Sequence, residues 1–84
     1  MKVLVFTSED GPEMREAQDL GASLSFEGYA VEYHDTEAAE THDLQELYNV
    51  YSYPSFVVTQ DDGSFIERWQ GRIPLESDIK MFLG

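Results

Sequence analysis

Two short runs constrain this chain more than anything else in it. Lys2–Thr7 reads KVLVFT and Ser55–Thr59 reads SFVVT. Both are continuous stretches rich in β-branched and aromatic residues, without the polar alternation of a strand that faces water on one side. Strands of this kind are buried on both faces. A sheet built around two of them needs covering structure on each side. At 84 residues the chain is one small domain. A domain of that size buries only about 60% of its unfolded surface, so its core must be efficient.

The rest of the chain supplies the cover. From Pro12 to about Glu27 the apolar residues Met14, Ala17, Leu20 and Leu24 fall at helical spacing, and Gly28 marks the stop. Gly21 lies on the same face. Glycine costs about 1 kcal/mol against alanine inside a helix, a penalty that close approach to the sheet would offset. Tyr29–His34 alternates and reads as a strand nearer an edge. Asp35 to Asn49 is acidic at first and then helical, with Leu44, Leu47 and Tyr48 apolar; its first half, TEAAETHD, allows helix or loop, and Asn49 tolerates a left-handed helix end. The tetrapeptide QDDG before Ser64–Gln70 is a hairpin signal. After Gly71, Pro74 opens a final helix with Leu75, Ile79, Phe82 and Leu83 apolar. The expected order is β-α-β-α-β-β-α. Right-handed crossovers place the first two strands parallel, and the hairpin makes the last two antiparallel. The fold class is α/β, a mixed four-stranded sheet with helices on both faces.

Seventeen acids against five Lys and Arg give a formal net charge of −12. Such a surface repels phosphate backbones and anionic membranes, so no nucleic-acid or membrane partner is expected. Its plain role is solubility; its sharper one is attraction of a basic partner. An aromatic content of 13% with clear apolar runs argues against disorder. There is no cysteine. Disulfides, thiolate catalysis and thiolate-bound metals are therefore excluded. The apolar run near the N-terminus is too short for a signal peptide or a membrane span, and a cytoplasmic location is expected. His34 and His42 are each followed by aspartate, without the ligand spacing of a zinc site. Both are expected to face solvent, and no metal or other cofactor is expected.

Three stretches, DGPE, YNVYSYPSFVV and DGSFIERWQGRIPLESDIKMFL, resemble the thioredoxin family. Asp10-Gly11-Pro12-Glu13 stands at the first strand-to-helix turn, where thioredoxins carry Cys-Gly-Pro-Cys. YNVYSYPSFVV resembles the family's segment around its cis-proline, with Pro54 at the proline position. DGSFIERWQGRIPLESDIKMFL resembles the terminal hairpin, glycine turn and last helix. The match spans nearly the whole chain, in the short form lacking the extra N-terminal strand and helix, and implies a thioredoxin-like fold. The departures bear on activity. Acids occupy both cysteine positions, Glu9 replaces the usual aromatic residue, and Leu4 stands where thioredoxins bury a proton-accepting acid. Thiol–disulfide exchange needs an attacking thiolate and a resolving thiol, and a carboxylate forms no mixed disulfide. The resemblance therefore implies a divergent, redox-inactive member.

The residues themselves allow more than one use of DGPE. Aspartate is a strong N-cap, an acid three residues on resembles a capping box, and negative charge offsets the helix dipole by about 0.3–1 kcal/mol. Glu9, Asp10 and Glu13 as a carboxylate-based or metal-assisted catalytic centre is the alternative. It needs a raised pKa, which a helix N-terminus opposes, or more oxygen ligands than are at hand. The resemblance implies a peptide-binding surface made by Glu9–Pro12, Tyr51–Pro54 and Gly71–Arg72, in which an extended protein segment adds as a strand. Tyr48 is expected in the core and Tyr51 and Tyr53 beside the groove. Arg72 is expected to pair with Glu9 or Asp10 or to contact a ligand carboxylate. The leading expectation is a protein or peptide interaction module, set beside the enzyme reading and that of a purely structural subunit; oligomeric state is left open.

Overall fold

The computed structural model describes residues 1–8 and 12–83. The elements are β1 (Lys2–Thr7), α1 (Pro12–Phe26), β2 (Ala30–Asp35), α2 (Thr41–Tyr48), β3 (Ser55–Thr59), β4 (Phe65–Gln70) and α3 (Glu76–Lys80). The strands form one sheet in the order β2-β1-β3-β4. β1 runs parallel to β2 and antiparallel to β3, and β4 returns antiparallel to β3. The two unbroken apolar runs are thus the two inner strands, paired Leu4 to Val57 and Val5 to Phe56.

Strand alternation sends neighbouring residues of β1 and β3 into different cores. Val3, Val5, Phe56 and Val58 face Ala17 and Leu24 of α1 together with Trp69, Ile79 and Leu83. Leu4, Phe6 and Val57 face the opposite way, against Tyr48 and Val50, with Leu44 and Tyr53 packed beside them. Full burial of one such large apolar side chain contributes about 1.5–3 kcal/mol. Phe6 and Phe56 are completely buried, one on each side of the sheet.

Gly21 does what its cost requires. A Cβ built there would lie 2.6 Å from the hydroxyl oxygen of Tyr33 and 3.0 Å from its ring. The Tyr33 side chain of β2 therefore lies against the α1 backbone, and its hydroxyl donates to the Gln18 carbonyl at 3.4 Å. At the C-terminus of α1, Gly28 has φ 101°, the left-handed region that favours glycine. The outer edges of α1 and α3 are joined by polar contacts: the Ser23 hydroxyl donates to Glu76, and the Lys80 ammonium to Glu27 at 2.7 Å.

Local contacts set several of the boundaries. α2 begins only at Thr41, because the Asp35 carboxylate accepts the Glu37 N–H at 2.9 Å and starts a series of turns. It ends in a Schellman motif: Asn49 has φ 56° and ψ 49°, and the N–H of Val50 reaches the Gln45 carbonyl at 2.8 Å. α3 begins at Glu76 rather than Pro74, since Leu75 is extended at φ −67° and ψ 145°. Leu75 and Leu47, expected on apolar helix faces, are both largely exposed. His34, expected in solvent, is half-buried: its ring stacks on Phe6 at 5.4 Å between centroids. Its Nε2 lies 3.2 Å from Glu32, which also accepts from Lys2 at 3.1 Å.

Candidate functional site

The strand ends near Ser55 carry a loop that the sequence singled out. After the Schellman turn, Tyr51–Pro54 leads into β3, and the Tyr53–Pro54 peptide bond is cis. Three contacts fix this loop. The Ser55 hydroxyl donates to the Ser52 carbonyl, closing the loop on the first residue of β3. The Tyr51 N–H donates to the Gln70 side chain at 2.7 Å, and Gln70 is the last residue of β4, paired with Ser55. The Gln45 side-chain amide of α2 donates to the Tyr53 hydroxyl.

Gly71 joins the same place from the other side. Its φ of 68° is a left-handed value, and a Cβ there would stand 3.2 Å from the Cβ of Ser52. Its N–H donates to the Ser55 hydroxyl at 3.3 Å. So Tyr51, Ser52, Tyr53, Pro54, Gly71 and, next in sequence, Arg72 converge at one end of the sheet, although some twenty residues separate the two segments. Tyr51, Ser52, Gly71 and Arg72 are exposed; Pro54 is buried. Neither main-chain group of Tyr53 has a main-chain hydrogen-bond partner among the described residues.

The two expected aromatic flanks differ. Tyr51 is 68% exposed. Tyr53 is half-buried, packed against the Leu4–Phe6 cluster, with its hydroxyl engaged by Gln45, so its side chain serves the core. Tyr48 is in the core as expected, 5% exposed, its hydroxyl bonded to the Gly63 carbonyl. Gln45 and Gln70, which hold the loop, were not singled out from the sequence. For Gln45 the signal is a polar residue on the same helix face as Thr41 and Tyr48, all three of them buried. Gln70 carries no such mark.

Glu9, Asp10 and Gly11 lie outside the described residues, as does any pairing of Arg72 with Glu9 or Asp10. Pro12 opens α1, and Glu13 stands exposed in its first turn. Leu4, at the position of the buried acid in thioredoxins, is an apolar core residue, 3% exposed among Phe6, Val50 and Val57. Among the described residues no three His, Asp or Glu side chains are grouped to hold a metal ion, and no helix is long and apolar enough to cross a membrane.

Solved structures place this architecture. The chain is similar to an uncharacterized thioredoxin-like protein from Clostridium perfringens, with a TM-score of 0.82 and 21% identity over 98% of this chain and 67% of that one. The thioredoxin-like protein BC3987 superposes with a TM-score of 0.58 at 23% identity, over 96% of this chain and 99% of the other. A point mutant of it gives 0.61 at 21%, over 99% and 100%. No family model and no curated protein matches the chain. The fold is therefore thioredoxin-like, a mixed four-stranded sheet with helices on both faces, and it carries no cysteine.

Proposed function

We propose that the protein is a redox-inactive interaction module that holds an extended peptide against the Tyr51–Pro54 loop and the Gly71–Arg72 turn. One observation carries this reading. Two segments distant in sequence meet at one end of the sheet, with an exposed tyrosine on one, an exposed arginine on the other, and the Tyr53 main chain unpaired with other main chain among the described residues. An extended segment uses such main-chain groups for strand addition, while side chains beside them select the sequence. Arg72 suits a carboxylate on the peptide or its C-terminus. Chemistry through a thiol is absent because the chain has no cysteine. Pro12 opens α1, and Glu13 in its first turn offsets the helix dipole with no catalytic role invoked.

The test is a titration of the isotope-labelled protein with a pool of short unstructured peptides, followed by backbone amide shifts. Shifts should concentrate on Tyr51, Ser52, Tyr53, Gly71 and Arg72. Arg72→Ala should weaken binding of an acidic-ended peptide about tenfold, the scale of one lost charge-assisted contact. Saturable binding that leaves these amides unmoved, or no binding by any peptide of the pool, refutes the reading.

A further inference from the structure

A second surface lies along the outer edge of β4. β4 closes one side of the sheet, with β3 on its inner flank and no strand on its outer flank among the described residues. Three of the large exposed apolar side chains are tied to this strand. Phe65, its first residue, is 50% exposed and has the Arg68 guanidinium over its ring at 5.8 Å. Arg68 also donates to the Tyr48 carbonyl at 2.9 Å, which fixes the C-terminal end of α2 beside β4. The residue before that carbonyl, Leu47, is 66% exposed. Tyr51, 68% exposed, is held to Gln70 through its N–H. An open strand edge flanked by Phe65, Leu47 and Tyr51 is a poor surface to leave in water.

The exposed charges on its α2 side are acidic, while Arg68, the cation of β4 itself, is half-buried and engaged with the Phe65 ring and the Tyr48 carbonyl. Leu47 sits in the last turn of α2 beside Glu46, and Asp43 is one turn back on the same exposed side. α2 has no basic residue in that turn. An acid there opposes the helix dipole, so Glu46 is placed against the helix's own stability. Local rules broken in this way mark positions kept for something other than folding. A second copy of the chain is a poor occupant, because each copy brings a net charge of −12.

We propose that the outer edge of β4, with the C-terminal end of α2, docks a lysine- or arginine-rich extended segment of a partner protein. The segment adds as a fifth strand, seats apolar side chains on Leu47 and Phe65, and sets its cations against Asp43 and Glu46. This surface meets the loop described above only where Tyr51 bonds to Gln70 at the end of β4, and it does not depend on that reading.

The test uses the full chain, isotope-labelled, and two synthetic peptides: one alternates lysine and valine, the other glutamate and valine. The lysine peptide should shift the amides of Leu47 and Phe65–Gln70 and slow hydrogen exchange along β4. Its affinity should fall with salt, as for charges at an interface rim. The pair Leu47→Ser and Phe65→Ser should weaken it about tenfold or more, and so should Asp43→Lys with Glu46→Lys, while Arg72→Ala leaves it unchanged. All four positions are exposed or half-exposed, and thermal unfolding of each variant confirms that it is folded. The proposal fails if neither peptide binds, or if the glutamate peptide binds as well as the lysine one. It also fails if the shifts fall on Ser52, Tyr53, Gly71 and Arg72 instead. Concentration-dependent dimers with β4 protected in the absence of peptide would assign the edge to a second copy and overturn it too.

Discussion

Replacing Gly21 by alanine sets two opposing terms against each other, and Tyr33 decides which wins. The helix gains about 0.8–1.0 kcal/mol from the better propensity of alanine. The new Cβ meets the Tyr33 hydroxyl at 2.6 Å and the ring at 3.0 Å, inside any real contact distance. Overpacking of this kind costs about 1–3 kcal/mol where neighbours cannot give. Tyr33 is 49% exposed, so its ring can swing outward. It then forfeits its packing on α1 and its bond to Gln18, a loss of roughly 1 kcal/mol at about 25 cal/mol per Å². Gly21→Ala alone should therefore change stability little or lower it by about 1 kcal/mol, the overpacking and propensity terms largely cancelling. In a Tyr33→Ala background the same change should raise stability by about 0.8–1.0 kcal/mol, the full propensity gain. The coupling between the two sites should be about 1–2 kcal/mol, within the range for contacting residues. Urea unfolding of the four proteins measures it, with equal m-values as the check that unfolding stays two-state. An equal gain from Gly21→Ala in both backgrounds would show that Tyr33 does not rest on α1.

Phe6→Ala should destabilise by about 3–5 kcal/mol, because Phe6 is completely buried; a loss under about 1 kcal/mol in urea unfolding would show its cluster is not packed as described. Thr59→Val should stabilise by about 1 kcal/mol or more, since the Thr59 hydroxyl is buried without a partner and an unsatisfied polar group costs about 1–3 kcal/mol; an unchanged midpoint would mean that the hydroxyl is satisfied. The Lys2 ammonium hydrogen-bonded to Glu32 holds that carboxyl below its ordinary 4.5, against the opposite push of partial burial and with help from His34. A depressed folded value stabilises above the unfolded one, and that stability is lost as pH falls through the folded value. Stability should therefore decline on acidification below about pH 4.5, and Glu32→Gln should flatten that slope; identical pH profiles for the two proteins would contradict the pairing.

The parts of this fold that were legible in the sequence are those where local and tertiary demands agree. KVLVFT and SFVVT suit buried strands and are the two inner ones, and the glycine at position 28 and asparagine at position 49 mark the helix ends they were expected to mark. Where tertiary contacts decide, the pattern misled. Leu47 and Leu75 have the right spacing for buried faces, yet α2 turns Leu47 to solvent and Leu75 stays extended and exposed just ahead of α3. The acidic stretch after Asp35 allows helix or loop, and a local contact decides it: the Asp35 carboxylate accepts the Glu37 N–H and makes a turn. His34 followed a polar pattern, and only the pairing of Phe6 with His34 across the sheet brings the two rings together. For the candidate site the sequence marked the loop and the glycine turn, but not the residues that join them. The bond from Tyr51 to Gln70 spans nineteen positions, and no periodicity carries such a pairing. Nor could spacing show that Tyr53 gives its side chain to the core.

The sheet is a partition. Val5 and Phe6 are joined by a peptide bond, yet their side chains belong to separate clusters with no member in common. Substitutions at these adjacent positions should act almost independently, whereas Phe6 and Val50, far apart in the chain, share a cluster and should couple. Sequence drift on the α2 side can then be absorbed by that side alone, while the α1–α3 side keeps its packing. A chain built this way has two inheritable compartments. One can be reshaped around a new task while the other continues to hold the domain together.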